Sequence, residues 1–163
     1  MSKGQVSKRQ ARSAARQLTL QALYQWQISG NTMADIEAQL RAAMPDDNLE
    51  PHEDIVEVVR QADHAYFHEL AHGIVRYRQE MDEAFSGYLD RELDDLDPIE
   101  ISILRLGSYE MIKRLDVPYR VVINEAVELA KRFGGTDSHK YVNGVLDKLA
   151  KTKRATEVQA RRG

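Results

Sequence analysis

Residues 118–149 read PYRVVINEAVELAKRFGGTDSHKYVNGVLDKL, two apolar stripes of helical period hinged at a pair of glycines. The first stripe is Val122, Ile123, Ala126, Val127, Ala130 and Phe133, spaced by threes and fours rather than by twos, and it predicts a helix from Val117-Pro118 to Phe133. Proline suits the opening turn, where a missing N–H costs nothing, and Gly134-Gly135 suits the end. The second stripe is Tyr141, Val142, Val145, Leu146 and Leu149. Thr136, Asp137 and Ser138 precede it, and their side-chain oxygens are expected to accept the free N–H groups of its first turn. Gly144 lies inside this second helix, where it costs about 1 kcal/mol against alanine; close approach of another backbone is the expected compensation.

Upstream, Asp97-Pro98-Ile99-Glu100 is a well-specified helix start, with Asp97 as cap, Pro98 in the first position, Glu100 in the third, and Leu96 and Ile101 placed to pack across the cap. The helix that follows, Ile99 to Leu115, is apolar on most sides and is expected to form the buried centre of the C-terminal half. Between Glu80 and Glu100 nine acidic residues meet a single base, Arg91, the composition of a solvated surface. His52 to Met81 reads as one long helix or two joined ones, with Phe67, Leu70, Ile74, Tyr77 and Met81 on one face. Pro45 to Pro51 is a linker by its turn-forming and acidic content. Asn31 to Met44 is a short amphipathic helix with Ile36 and Leu40 inward.

At the front a helix begins at Ser7 and stops at Gly30. Arg9, Arg12 and Arg16 fall within about 60° of one another at 100° per residue, with Ala11, Ala14, Ala15 and Leu18 on the other side. Beyond Leu18 the pattern turns apolar nearly all round, through Leu20, Leu23, Tyr24, Trp26 and Ile28, so the basic end is expected to project from the body. No β-type alternation occurs. The fold class expected is all-α, a compact bundle of about seven helices in two packed halves of three to four helices.

A chain of 163 residues with 42% hydrophobic content can bury one core. The absence of cysteine excludes disulfides and thiolate metal sites. No apolar run has signal-peptide or membrane-spanning length, so a cytoplasmic protein is expected. The net charge of -3 is unevenly spread. Residues 1–16 hold five bases and no acid, and residues 148–163 hold six bases (Lys148, Lys151, Lys153, Arg154, Arg161 and Arg162) against Glu157. Basic ends on an acidic body are candidates for phosphate contact. RNA recognition adds aromatic rings or arginine planes that stack on splayed bases, and Tyr141, near the positive end of its helix, is placed to offer one; a core tyrosine is the alternative reading.

His68-Glu69-Leu70-Ala71-His72 matches the H-E-x-x-H pattern of zinc peptidases, and His64 extends it to a stripe. The stripe lies roughly opposite Phe67, Leu70, Ile74 and Met81 and so points at solvent. The extended motif would want glycine and histidine where Val75 and Arg78 stand. No catalytic residue, no catalytic or structural metal and no cofactor are expected, nor any enzyme activity, and the His64/His68/His72 stripe leaves room only for adventitious nickel or zinc: the sequence holds no Gly-rich phosphate loop and no G-x-S-x-G.

The string Val122 to Lys131, with Phe133-Gly134 and Asp137 to Asp147, resembles the C-terminal signature of the NusB family of bacterial transcription antitermination factors. Ile103 to Leu106 with Tyr109-Glu110, and Gln21 to Gln27, are further matching blocks in one colinear order. The resemblance implies binding of the boxA element of ribosomal RNA leader transcripts together with NusE, the small-subunit ribosomal protein, within the elongating RNA polymerase complex. It places RNA contacts on Lys8, Arg9, Arg12, Arg16 and Tyr24 and on Asp137, His139, Lys140 and Tyr141. It places the NusE-facing surface on Tyr88, Asp94, Asp95 and Glu100, an acidic face suited to a basic partner. Relatives occur as monomers and as homodimers, and a homodimer would hide the RNA edge. The chain departs from some relatives in having Ser13 and Ala14 in place of consecutive arginines, and in the Pro45–Gln61 insertion. The organisation implied is a disordered basic lead-in at 1–7, one NusB-like helical domain at 8–151 and a flexible basic tail at 152–163. A helical adapter that binds only protein is the competing reading.

Overall fold

The computed structural model describes residues 6–42 and 53–162. The expected linker at Pro45–Pro51 and residues 1–5 of the lead-in lie outside them. The described residues form nine α-helices and no strand: α1 Lys8–Ser29, α2 Met33–Ala42, α3 Glu53–Gln61, α4 His64–Arg76, α5 Arg78–Ser86, α6 Pro98–Lys113, α7 Tyr119–Phe133, α8 Ser138–Lys153 and α9 Ala155–Arg162, with a 3-10 turn at Leu93–Asp95. The sequence pattern divides into about seven because it runs α3, α4 and α5 together and reads α9 as tail. The first break is built by Asp63, whose N–H donates to the Ala11 carbonyl and whose carboxylate accepts the Tyr66 N–H. Two compact units result, Met1–His72 and Gly73–Gly163.

In the first unit α1 packs against α2 and α3. Ser7 accepts the Gln10 N–H and Gln10 returns the bond, a reciprocal cap that fixes where α1 begins, and Gly30 ends it in the left-handed region at φ 74°. Ala15, Leu18, Ala22 and Leu23 are buried, as are Ile36 and Leu40 of α2. The apolar run beyond Leu18 is only partly interior: Tyr24 and Trp26 are half-buried and Ile28 is exposed. Nor does the histidine stripe of α4 simply face water. His64 Nε2 lies 2.8 Å from the Val59 carbonyl, while His68 and His72 both turn onto Glu37 of α2.

In the second unit α6 is the centre, packed by α5, α7 and α8. Every residue from Ile101 to Met111 is buried. Its start follows the sequence: the Asp97 carboxylate accepts the Ile99 N–H at 2.7 Å and Pro98 occupies the first turn. Arg105, inside the buried run, is satisfied by a two-pronged pair with Asp82 of α5 at 2.8 and 2.9 Å.

The glycines are used differently from expectation. The tight approach between α6 and α8 is at Gly107, where a Cβ would meet Leu146 Cδ1 at 2.7 Å. Gly144 has nothing within 4 Å of such an atom. Gly144→Ala is therefore expected to stabilise the protein by about 1 kcal/mol, the helix propensity difference with no steric penalty, and a urea midpoint unchanged or lowered would contradict this.

The glycine corner between α7 and α8 is also built by other means than sequence suggests. Gly134 is extended, not left-handed, and is required by space: a Cβ there would lie 2.7 Å from the Ala130 carbonyl. The left-handed residue is Asp137, at φ 63°, and no side chain caps α8. Ser138 instead sends its hydroxyl to Glu100 at 2.8 Å, tying the start of α8 to the start of α6.

The segment read as tail continues as helix. Arg154, between α8 and α9, is buried and donates to the carbonyls of Met111, Glu110 and Arg114. It is the C-terminal cap of α6, not a surface cation.

Candidate nucleic-acid interface

The basic edge of α1 divides by burial. Lys8 and Arg9 are exposed in the first turn, which holds no acidic residue. Cations at this end oppose the helix dipole, whose positive pole is there, so an arriving phosphate would be attracted by side chains and helix together. Arg12 is half-buried, its guanidinium 4.5 Å from the centre of the Tyr66 ring. Arg16 is only 2% exposed and lies 5.6 Å from the same ring. Angular position and the family resemblance both point Arg16 to the basic edge; Tyr66, just after the turn at Asp63, covers it. Tyr24 sits half-buried two turns further along α1.

The second segment is the start of α8. Asp137 and Lys140 are exposed and pair at 3.4 Å, His139 is half-buried, and Tyr141 is half-buried with a fixed ring. The Tyr141 hydroxyl accepts the Asp90 N–H at 3.3 Å, and the Arg91 guanidinium covers the ring 4.7 Å from its centre. Arg91 is in turn held by the Asp90 carboxylate at 2.8 Å. The Arg91 hydrogen bond first, and then the bond with Tyr141, hold the Asp90 carboxyl below its usual range. Burial, followed by the neighbouring Asp90, raises the Tyr141 phenol, so it stays neutral at physiological pH. The result is a stacked plane of tyrosine and arginine beside an exposed lysine.

Sequence reading missed Arg91 in this cluster. Its one signal was being the only base in a long acidic run. The acidic candidates lie close by in the same unit: Asp94 and Asp95 are exposed on the 3-10 turn, Tyr88 bonds Thr152 at 2.9 Å through its hydroxyl, and Glu100 accepts the Ser138 hydroxyl. The α8 start and the acidic run are thus joined by the Tyr141–Asp90 and Ser138–Glu100 bonds.

The model of the NusB family matches residues 13–151. The chain belongs to the NusB family. A NusB transcription antitermination protein from Chromohalobacter salexigens is 54% identical over 153 residues, covering 94% of this chain and 92% of the relative. One from Pseudomonas fluorescens is 50% identical over 96% of this chain and 87% of the relative. Among solved structures, T. maritima NusB superposes with a TM-score of 0.67 at 28% identity, covering 90% of this chain and 93% of that one. The fold is also that of a chain in a crystal structure of the antitermination factors NusB and NusE with double-stranded RNA, with a TM-score of 0.67, 24% identity, and coverage of 86% and 96%. The NusB match spans both units, and the α7–α8 corner lies within it. No helix among the described residues is long and apolar enough to cross a membrane.

Proposed function

We propose that this NusB-family chain is a transcription antitermination factor that binds boxA RNA of ribosomal RNA leaders together with NusE and acts with elongating RNA polymerase. The observation that carries this reading is near full-length identity above one half to a transcription antitermination protein. The local chemistry supports it. Lys8, Arg9 and Arg12 offer cations at a helix start free of acids, and Lys140 with the Tyr141–Arg91 stack offers a second cation and a flat ring for an unstacked base. These parts hold a nucleic acid by charge and stacking and perform no chemistry on it.

The deciding experiment is a titration of labelled boxA RNA, beside a scrambled strand, with and without NusE. Preference for boxA that grows when NusE is present is the expected result. Equal affinity for both strands in the presence of NusE would remove boxA from the reading, and failure to bind either strand would leave only a protein adapter.

NusE is assigned to the acidic run. Asp94 and Asp95 are its cleanest probes because both are exposed and outside any helix interior, whereas Glu100 has an internal partner in Ser138. The double change Asp94→Lys, Asp95→Lys should weaken NusE binding by roughly 10-fold or more, since it sets like charge against a basic partner. Unaltered affinity by calorimetry would move the NusE surface elsewhere.

A further inference from the structure

By sequence alone the histidine pair of α4 points at solvent, and the extended peptidase motif fails downstream at Val75 and Arg78. The structure supplies a third donor from a different place. Glu37 of α2 puts its carboxylate between the two imidazoles: Oε2 is 2.9 Å from His68 Nδ1 and Oε1 is 3.2 Å from His72 Nε2. We propose that Glu37, His68 and His72 form a binding site for a divalent transition cation of the zinc class, which fastens α2 to α4.

The geometry is close to what such an ion requires. With metal–nitrogen and metal–oxygen bonds of about 2.0–2.2 Å, neighbouring donors of a tetrahedral site are separated by about 3.3 Å. The two glutamate–histidine separations are already near that length. All three donor atoms lie within 4.8 Å of one another, and the histidine pair must close further to share one ion. The rings stand one turn apart on a single helix, 4.2 Å between centres, which fixes their spacing without help from a loop. Two nitrogens and one carboxylate oxygen select zinc, nickel, copper or cobalt over magnesium or calcium, which take all-oxygen shells. Glu37 is nearly buried, whereas His68 is more than half exposed, so an ion can reach the site from solvent and keep water in its fourth position.

Glu37 already faces both histidines with its carboxylate. Arg41 opposes a cation, with its guanidinium 3.4 Å from the same carboxylate, but that side chain is more than half exposed and free to swing away. His64 is not a ligand: its Nε2 is engaged by the Val59 carbonyl.

The test uses the full chain, stripped with a chelator and titrated with zinc by calorimetry, and with cobalt to follow the visible absorption of a tetrahedral site. One equivalent should bind, raise the thermal midpoint and give the tetrahedral cobalt spectrum. His68→Ala should reduce zinc affinity by at least roughly 10-fold, the lower end of what loss of even an outer-shell partner costs at a metal site. His68 is exposed enough that this variant keeps its fold, which far-UV circular dichroism checks, and Glu37→Gln provides a second loss from the other helix. His64→Gln should bind as the parent does. Failure of the parent to bind zinc, or binding undiminished in His68→Ala, would overturn the proposal.

Discussion

Arg154→Met should cost roughly 2–3 kcal/mol of stability, the range for losing the hydrogen bonds of a buried charged group. The methionine keeps most of the apolar stem, so the loss isolates the guanidinium. That group donates to Met111 O at 2.8 Å, Arg114 O at 2.9 Å and Glu110 O at 3.2 Å, and to Glu157 at 2.7 Å. The carbonyls belong to the end of α6, where the helix leaves its last acceptors unmatched and its dipole is negative. Glu110 O also accepts the Arg114 N–H and Arg114 O the Val117 N–H, so these two keep a donor without Arg154, whereas Met111 O loses its bond at a cost of about 1–3 kcal/mol. Urea unfolding of the variant beside Lys153→Met, an exposed neighbour that should change little, measures the difference. A loss under about 1 kcal/mol would show that the end of α6 is satisfied without this cap.

The same network has a pH signature. Glu157 accepts the Tyr119 N–H at 3.0 Å, supplying the start of α7 with the acceptor that Pro118 cannot provide from its side chain. Burial alone would raise its carboxyl, but the Tyr119 amide and Arg154 outweigh this and hold it below the usual value of 4.5. A depressed carboxylate contributes stability that is complete above the unfolded-state pKa and is lost as the pH falls through the folded one. Arg154→Met removes one of the groups holding it down, beside the Tyr119 amide and Arg161, so the variant should lose less stability than the parent on acidification below pH about 4.5.

These residues mark the limit of what the sequence discloses. The helical class, the start of α6 at Asp97-Pro98 and the inward faces of α2, α7 and α8 follow from periodicity and caps, which are local and survive in one dimension. Arg154 looks like part of a basic tail because nothing nearby in sequence says that the end of α6 will lie against it. Arg16 shares an angular sector with Arg9 and Arg12, yet its burial depends on Tyr66, fifty residues away. The histidines of α4 show in the sequence only as a failed peptidase motif, and Glu37 joins them as a donor only when α2 and α4 pack. The family resemblance crosses this gap for the function, because it carries long-range information that spacing lacks. It does so less well for individual side chains: it selects Arg16 with the same weight as Arg9.

Burial therefore sharpens the RNA experiment. Reversing Lys8, Arg9 and Arg12 to glutamate should weaken boxA binding by roughly 100-fold at 0.1 M salt. Each single-strand phosphate contact contributes about 0.7 to the slope of log affinity against log salt, which is about a factor of five at 0.1 M, and three such contacts multiply. The slope itself should fall by about 2, a quantity that a general loss of folded protein cannot mimic. Arg16→Glu provides the contrast. Buried over the Tyr66 ring, it should lower the unfolding midpoint strongly, while whatever fraction remains folded binds RNA with the parental salt slope. Should the Arg16 variant instead stay stable and lose slope while the triple variant keeps it, the phosphate-binding edge of α1 would have to face the opposite way from the one its burial pattern describes.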